Sequence, residues 1–238
     1  PGRFMKVQQV LVDAWYFYTA NIRYILYLCI PFVFVEALLA EGLIAAATPE
    51  GTEQQGGIFG SMAIVLGIYP LYTAILILYL QARSKGELID RRRIIGKALS
   101  LWPTMVVLVV MEFVLFLLGF MLFVLPGIWV AVRMAFAEFR LVEHDEQPVE
   151  ALRKSFALTE RDFWLVFAVM LIPEALIVLA KLAMPGVIEM FGNLFILHVL
   201  WHMAAVMLQM FPTIALYRLY MQIDKPGSAI SGPDSGSE

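Results

Sequence analysis

Apolar positions gather into six runs that match, or nearly match, the roughly 20 residues a helix needs to cross hydrocarbon. They are Tyr24 to Ala47, Ile58 to Ala82, Leu101 to Leu125, Ile128 to Val142, Phe163 to Met184 and Leu194 to Met221. The fourth is short and starts just after Val124-Leu125-Pro126-Gly127, a turn sequence that predicts a tight hairpin with the third. A two-helix hairpin is therefore the expected unit. An amphipathic stretch leads into each odd-numbered run: Val7, Leu11, Ala14, Trp15 and Tyr18; Leu88, Ile95 and Leu99; and Val149, Leu152 and Phe156 after Pro148. Two placements fit these stretches, either flat on an anionic leaflet or as extensions of the spans packed on the cytoplasmic face of the bundle.

The hairpins read as three parallel repeats. Glu36, Glu112 and Glu174 each follow a polar or interfacial break, at Tyr24, Ser100 and Asp162, by twelve residues. Glu36-Ala37-Leu38-Leu39-Ala40 resembles Glu174-Ala175-Leu176-Ile177-Val178, and Pro70, Pro126 and Pro212 mark the returning helices. Because every unit starts on the same side, the pseudo-symmetry axis is expected along the membrane normal.

Composition agrees with the pattern. Of 238 residues, 61% are hydrophobic and 16% charged, with mean hydropathy +0.79. Soluble domains run at roughly 45–50% apolar and about 25% charged, so a water-soluble globule is excluded. The expected fold class is all-α, a polytopic membrane bundle of six transmembrane helices, with residues 1–223 forming one domain and no separate soluble catalytic domain. The run from Tyr24 is too long for a signal h-region, so the first helix is expected to direct insertion. Residues 224–238, rich in Pro, Gly and Ser, are expected to be a disordered tail. Cys29 is the single cysteine, which excludes an intramolecular disulfide.

Net charge is only −3, but the placement of the charges is informative. Arg3, Lys6 and Arg23 precede the first run; Arg83, Lys85, Arg91, Arg92, Arg93 and Lys97 lie between the second and third; Arg140, Arg153, Lys154 and Arg161 lie between the fourth and fifth. Of the opposite connections, Thr48 to Gly57 holds only Glu50 and Glu53, the Pro126 turn is neutral, and only Lys181 adjoins the Pro185-Gly186 loop. The positive-inside rule places both termini in the cytoplasm of a bacterial inner membrane. Arg91, Arg92, Arg93, Arg153 and Lys154 then face the headgroups, and the expected partners are the bilayer and its anionic lipids rather than nucleic acid.

Twelve helical residues advance about 18 Å, which puts Glu36, Glu112 and Glu174 near the bilayer midplane. Ionised carboxylates there are costly, so each is expected to face the protein interior and find a partner, with Arg133 the expected counter-ion. The four residues form either a polar intramembrane site or a set of register-fixing pairs. His198 and His202, four residues apart, share one face and are a candidate metal pair or interfacial hydrogen-bonding groups; Glu41 is expected at a similar depth. Gly56, Gly60, Ala63 and Gly67 predict close helix approach, and Pro31, Pro70, Pro173 and Pro212 predict kinks. There is no P-loop, dinucleotide fingerprint, GxSxG elbow, CxxC pair or zincin motif, so no enzymatic activity and no cofactor are expected.

Leu125-Pro126-Gly127-Ile128, Ala151-Leu152-Arg153-Lys154-Ser155 and Leu216-Tyr217-Arg218-Leu219-Tyr220-Met221 resemble the YciC-like inner-membrane proteins of Gram-negative bacteria. The stretch from Pro126 to Arg133, together with Ala151 to Thr159, is also similar to the membrane domain fused to some glycerophosphodiester phosphodiesterases, whose catalytic barrel this chain lacks. The resemblance implies a polytopic inner-membrane protein without an assigned reaction. Two functions fit: a non-enzymatic protein supporting envelope homeostasis or a partner complex, or a carrier or channel for a small solute, proton or lipid that uses the midplane glutamates. A cavity reaching the glutamates favours the second, and a closed, packed interior favours the first.

Overall fold

Where water is excluded, a chain satisfies its own backbone by coiling into helices. The computed structural model describes residues 2–46, 54–87, 90–190 and 194–224, and among these all regular structure is helical. The helices are α1 (Gly2–Ala46), α2 (Gln54–Ser84), α3 (Arg91–Leu122), α4 (Val124–Met134), α5 (Ala137–His144), α6 (Pro148–Met190) and α7 (Phe195–Asp224). Residues 48–53 of the acidic connection and residues 225–238 of the expected tail lie outside the described residues.

Four helices are long and apolar enough to cross a membrane: α1, α3, α6 and α7. Their apolar stretches are mostly unburied, with only 17% of the most apolar window of α3 inside the fold. Val107, Leu118, Leu176, Leu179 and Leu182 all point outward, as contact with lipid tails requires. The second expected span lies in α2, uncharged from Gly60 to Leu80. α6 remains helical through Pro185 and Gly186, where the sequence pattern predicts a connection.

The fourth expected span, 128–142, differs. It is divided between α4, of 11 residues, and α5, of 8. At 1.5 Å per residue α4 reaches about 16 Å, roughly half a hydrocarbon core of about 30 Å. The break at Ala135 and Phe136 is made good from α6: Ser155 Oγ donates to the Arg133 carbonyl (2.8 Å) and accepts from the Phe136 N–H (3.1 Å). A fully buried hydroxyl thus replaces the helix bonds lost there. Pro126 falls in the first turn of α4, where a missing N–H costs nothing, whereas Pro70 and Pro212 lie inside α2 and α7. Pro126 therefore differs in helical position from the other two.

Each of α1, α2, α3, α4, α6 and α7 packs on the next, and α7 closes on α1, giving a ring. α5 packs against α2, α3 and α6, burying Ala137, Phe139, Leu141 and Val142. Phe139 meets Tyr217 and Tyr220 of α7 at ring-centroid distances of 5.5 and 5.6 Å, so α5 fills the ring where α2 and α7 end. The amphipathic stretches run unbroken into α1, into α3 from Arg91, with Leu88 outside the described residues, and into α6 across a kink at Asp162. They bury Val7, Val10, Ala14, Ile94, Ala98, Ala151 and Leu152 against the bundle, while Trp15, Leu99 and Val149 of the same stretches stay exposed. An ionic clasp joins this end of the ring: Arg140 bonds Glu146 and Asp224 (3.2 Å to the latter), and Lys154 bonds Glu146 (3.0 Å) and Glu150 (2.9 Å). Burial alone would raise the Glu146 carboxyl, but Arg140 and Lys154 outweigh it and hold the group below its ordinary range.

Candidate functional site

Helical spacing aims four faces at one half-open chamber. On α2, Tyr69, Tyr72, Thr73 and Leu76 form a single stripe; Glu174 and Lys181 of α6, and His202 and Gln209 of α7, are pairs two turns apart on one face. Together with Glu36 and Glu41 of α1 they line a cavity of about 670 Å³.

The polar groups connect in two sets. His202 Nδ1 lies 3.0 Å from Glu41 Oε1, and its Nε2 lies 3.8 Å from Glu36 Oε1. Lys181 Nζ donates to Gln209 Oε1 (2.9 Å), and Gln209 Nε2 donates to Glu174 Oε2 (2.5 Å). One atom is left over: Glu36 is only 1% exposed, and its Oε2 has no hydrogen-bond partner among the described residues. An unpaired carboxylate oxygen buried in this way is expensive unless a ligand or a proton meets it.

A second cavity, of about 430 Å³, lies between α2, α3, the α4–α5 break and α7, and is lined by Glu112 and Glu138 among apolar side chains. Glu138 also interacts with the Tyr69 hydroxyl. Tyr69 and Thr213 line both cavities, so the two meet at these residues.

The structure thus brings Glu36 and Glu174 to one cavity and places Glu112 in its neighbour. Arg133 stands apart from all three and makes no ion pair among the described residues. Its guanidinium lies over the rings of Trp129 (5.5 Å) and Phe156 (5.4 Å), because the Ser155 bond draws this end of α4 against α6. His202 turns toward acids, and among the described residues no three His, Cys, Asp or Glu side chains come together to hold a metal ion. Arg91 lies over the Tyr27 ring at 4.4 Å and Lys154 belongs to the clasp, while Arg92, Arg93 and Arg153 are exposed.

The sequence pattern did not single out Glu138, Gln209 or the tyrosines. Glu138 is an acid inside an apolar run, the same signal that marks Glu36. The tyrosines give none, since aromatic side chains in a span ordinarily read as core.

No curated protein and no solved structure matches the chain. A family model matches residues 54–222, from α2 to α7, a stretch that holds Glu112, Glu138, Glu174 and His202 and leaves out Glu36 and Glu41 of α1. By that match the chain belongs to the uncharacterised protein family UPF0259.

Proposed function

We propose that this protein is a non-enzymatic carrier or channel of the bacterial inner membrane, with both termini cytoplasmic, whose chamber binds a small cation or a proton. The buried carboxyl of Glu36 at the wall of a cavity of about 670 Å³, with its Oε2 unpartnered among the described residues, carries the reading. Three carboxyl groups line the chamber against one ammonium and one imidazole. Support of a partner complex calls for a closed, packed interior, and two cavities reaching four glutamates and Glu138 weigh against it. The resemblance of the Leu125–Ile128 turn and the Ala151–Ser155 motif to YciC-like proteins supports the inner-membrane location, as it supports a likeness to the phosphodiesterase membrane domain. Exposed Arg92, Arg93 and Arg153 suit anionic lipid on the cytoplasmic face.

The full chain in liposomes, assayed with protons, potassium and an organic ammonium, should move or bind at least one of them. Glu36→Gln should reduce that signal by tenfold or more while the protein stays folded. No signal with any of the three, or a signal indifferent to Glu36→Gln, would overturn the proposal.

A further inference from the structure

Glu36 stands at the wall of the half-open chamber but is sealed from it: the residue is 1% exposed, while Glu41 and His202 beside it each keep 20% of their side-chain surface open. An ion of atomic size cannot touch such a carboxyl where it stands, whereas a proton needs no space and travels along hydrogen bonds. His202 supplies the connection. Its Nδ1 lies 3.0 Å from Glu41 Oε1 and its Nε2 lies 3.8 Å from Glu36 Oε1, a gap about 1 Å beyond hydrogen-bond length that a small turn of the ring closes. Among the described residues it is the one side chain within ion-pair distance of Glu36. The other titratable groups around it do not bridge to that carboxyl: Glu174 and Lys181 of α6 are both bonded to Gln209, Tyr69 and Tyr72 of α2 meet edge to face, and His198 lies one helical turn before His202 on α7. On α1, Glu41 sits five residues beyond Glu36, about 7.5 Å nearer the Ala46 end, so the three groups step inward from that end.

We propose that His202 is a proton relay between the open chamber and the sealed carboxyl of Glu36, an assignment that rests on the cation-binding reading above and names the cation as a proton. Glu41 takes a proton from the chamber and passes it from Oε1 to His202 Nδ1. The ring then gives up the proton on its other nitrogen, Nε2, to Glu36 Oε1. One proton has moved inward: Glu41 is again a carboxylate, Glu36 is a neutral acid, and His202 is neutral in its other tautomer, with Nδ1–H donating to Glu41. A neutral Glu36 also removes the cost of a buried charge whose Oε2 has no partner among the described residues.

The test is time-resolved infrared spectroscopy of the full chain in lipid nanodiscs after a downward pH jump, following the C=O band of protonated carboxyl groups. A component of that band should be lost in Glu36→Gln. In His202→Ala the same component should rise at least tenfold more slowly, and added imidazole should restore the rate, which a merely structural role for the ring would not allow. Should His202→Ala fail to fold, His202→Gln, which keeps a polar side chain and cannot relay, should show the same slowing. A Glu36 component that rises at the wild-type rate without His202, or that stays slow with imidazole present, would overturn the relay. So would a Glu36-dependent potassium or ammonium signal with no Glu36 component in the band, although the cation-binding reading would then stand. Absence of every signal would remove both.

Discussion

The Ser155 hydroxyl stands in for a missing turn of helix, bridging the Arg133 carbonyl and the Phe136 N–H across the break between α4 and α5. Its burial leaves water no access to either group. Ser155→Ala should strand both and destabilise the protein by about 1–3 kcal/mol, the usual cost of an unsatisfied buried polar group. The measurement is the unfolding midpoint in mixed detergent micelles, with Ser155→Thr, which keeps the hydroxyl, falling between the two. A midpoint unchanged by Ser155→Ala would show that the break does not depend on this bond. The neighbouring Arg133 lies over aromatic rings rather than beside a carboxylate, and its buried Nε has no hydrogen-bond partner among the described residues.

Among the elements, the α3–α4 hairpin is held by two glycines. A Cβ on Gly127 would sit 3.0 Å from Phe120 Cα, and one on Gly119 would sit 3.0 Å from Gly127 Cα. These are backbone atoms, which cannot swing aside, so Gly127→Ala and Gly119→Ala should each force the helices apart at about 1–3 kcal/mol. A Cβ on Gly96, near the N-terminal end of α3, would meet nothing within 4 Å. Gly96→Ala should therefore be neutral or stabilise by up to about 1 kcal/mol through helix propensity. Thermal unfolding of the three variants in detergent checks the contrast. Equal effects at Gly127 and Gly96 would mean that the close approach is not what these positions require.

For the whole molecule, orientation follows from charge, because the ring itself is blind to which end faces the cytoplasm. Lys and Arg gather at the end where the clasp of Arg140, Lys154 and Asp224 lies, and the opposite connections are acidic or neutral. A reporter active only in the periplasm should be silent when fused after Gln222 and active when inserted between Thr48 and Gly57. The reverse pattern would invert the protein and put Arg92, Arg93 and Arg153 on the other leaflet.

The sequence alone determined that the chain is helical and apolar enough for a membrane, because composition and run length fix how a backbone must satisfy itself in hydrocarbon. It also marked Glu36, Glu112 and Glu174, since a charge in an apolar run is conspicuous whatever surrounds it. Tertiary structure decided the rest. Only packing shows that a run of ordinary length from Ile128 to Val142 breaks in two, since the residue that permits the break, Ser155, is on another helix. Only packing separates Glu112 from Glu36 and Glu174, draws Arg133 toward α6 and seats His202 between two acids. Depth along a helix is a property of local spacing, and so it can be read from the chain by itself. Which side chain meets which across the ring depends on the rotation of each helix about its axis, which is set by the summed contacts of all its neighbours.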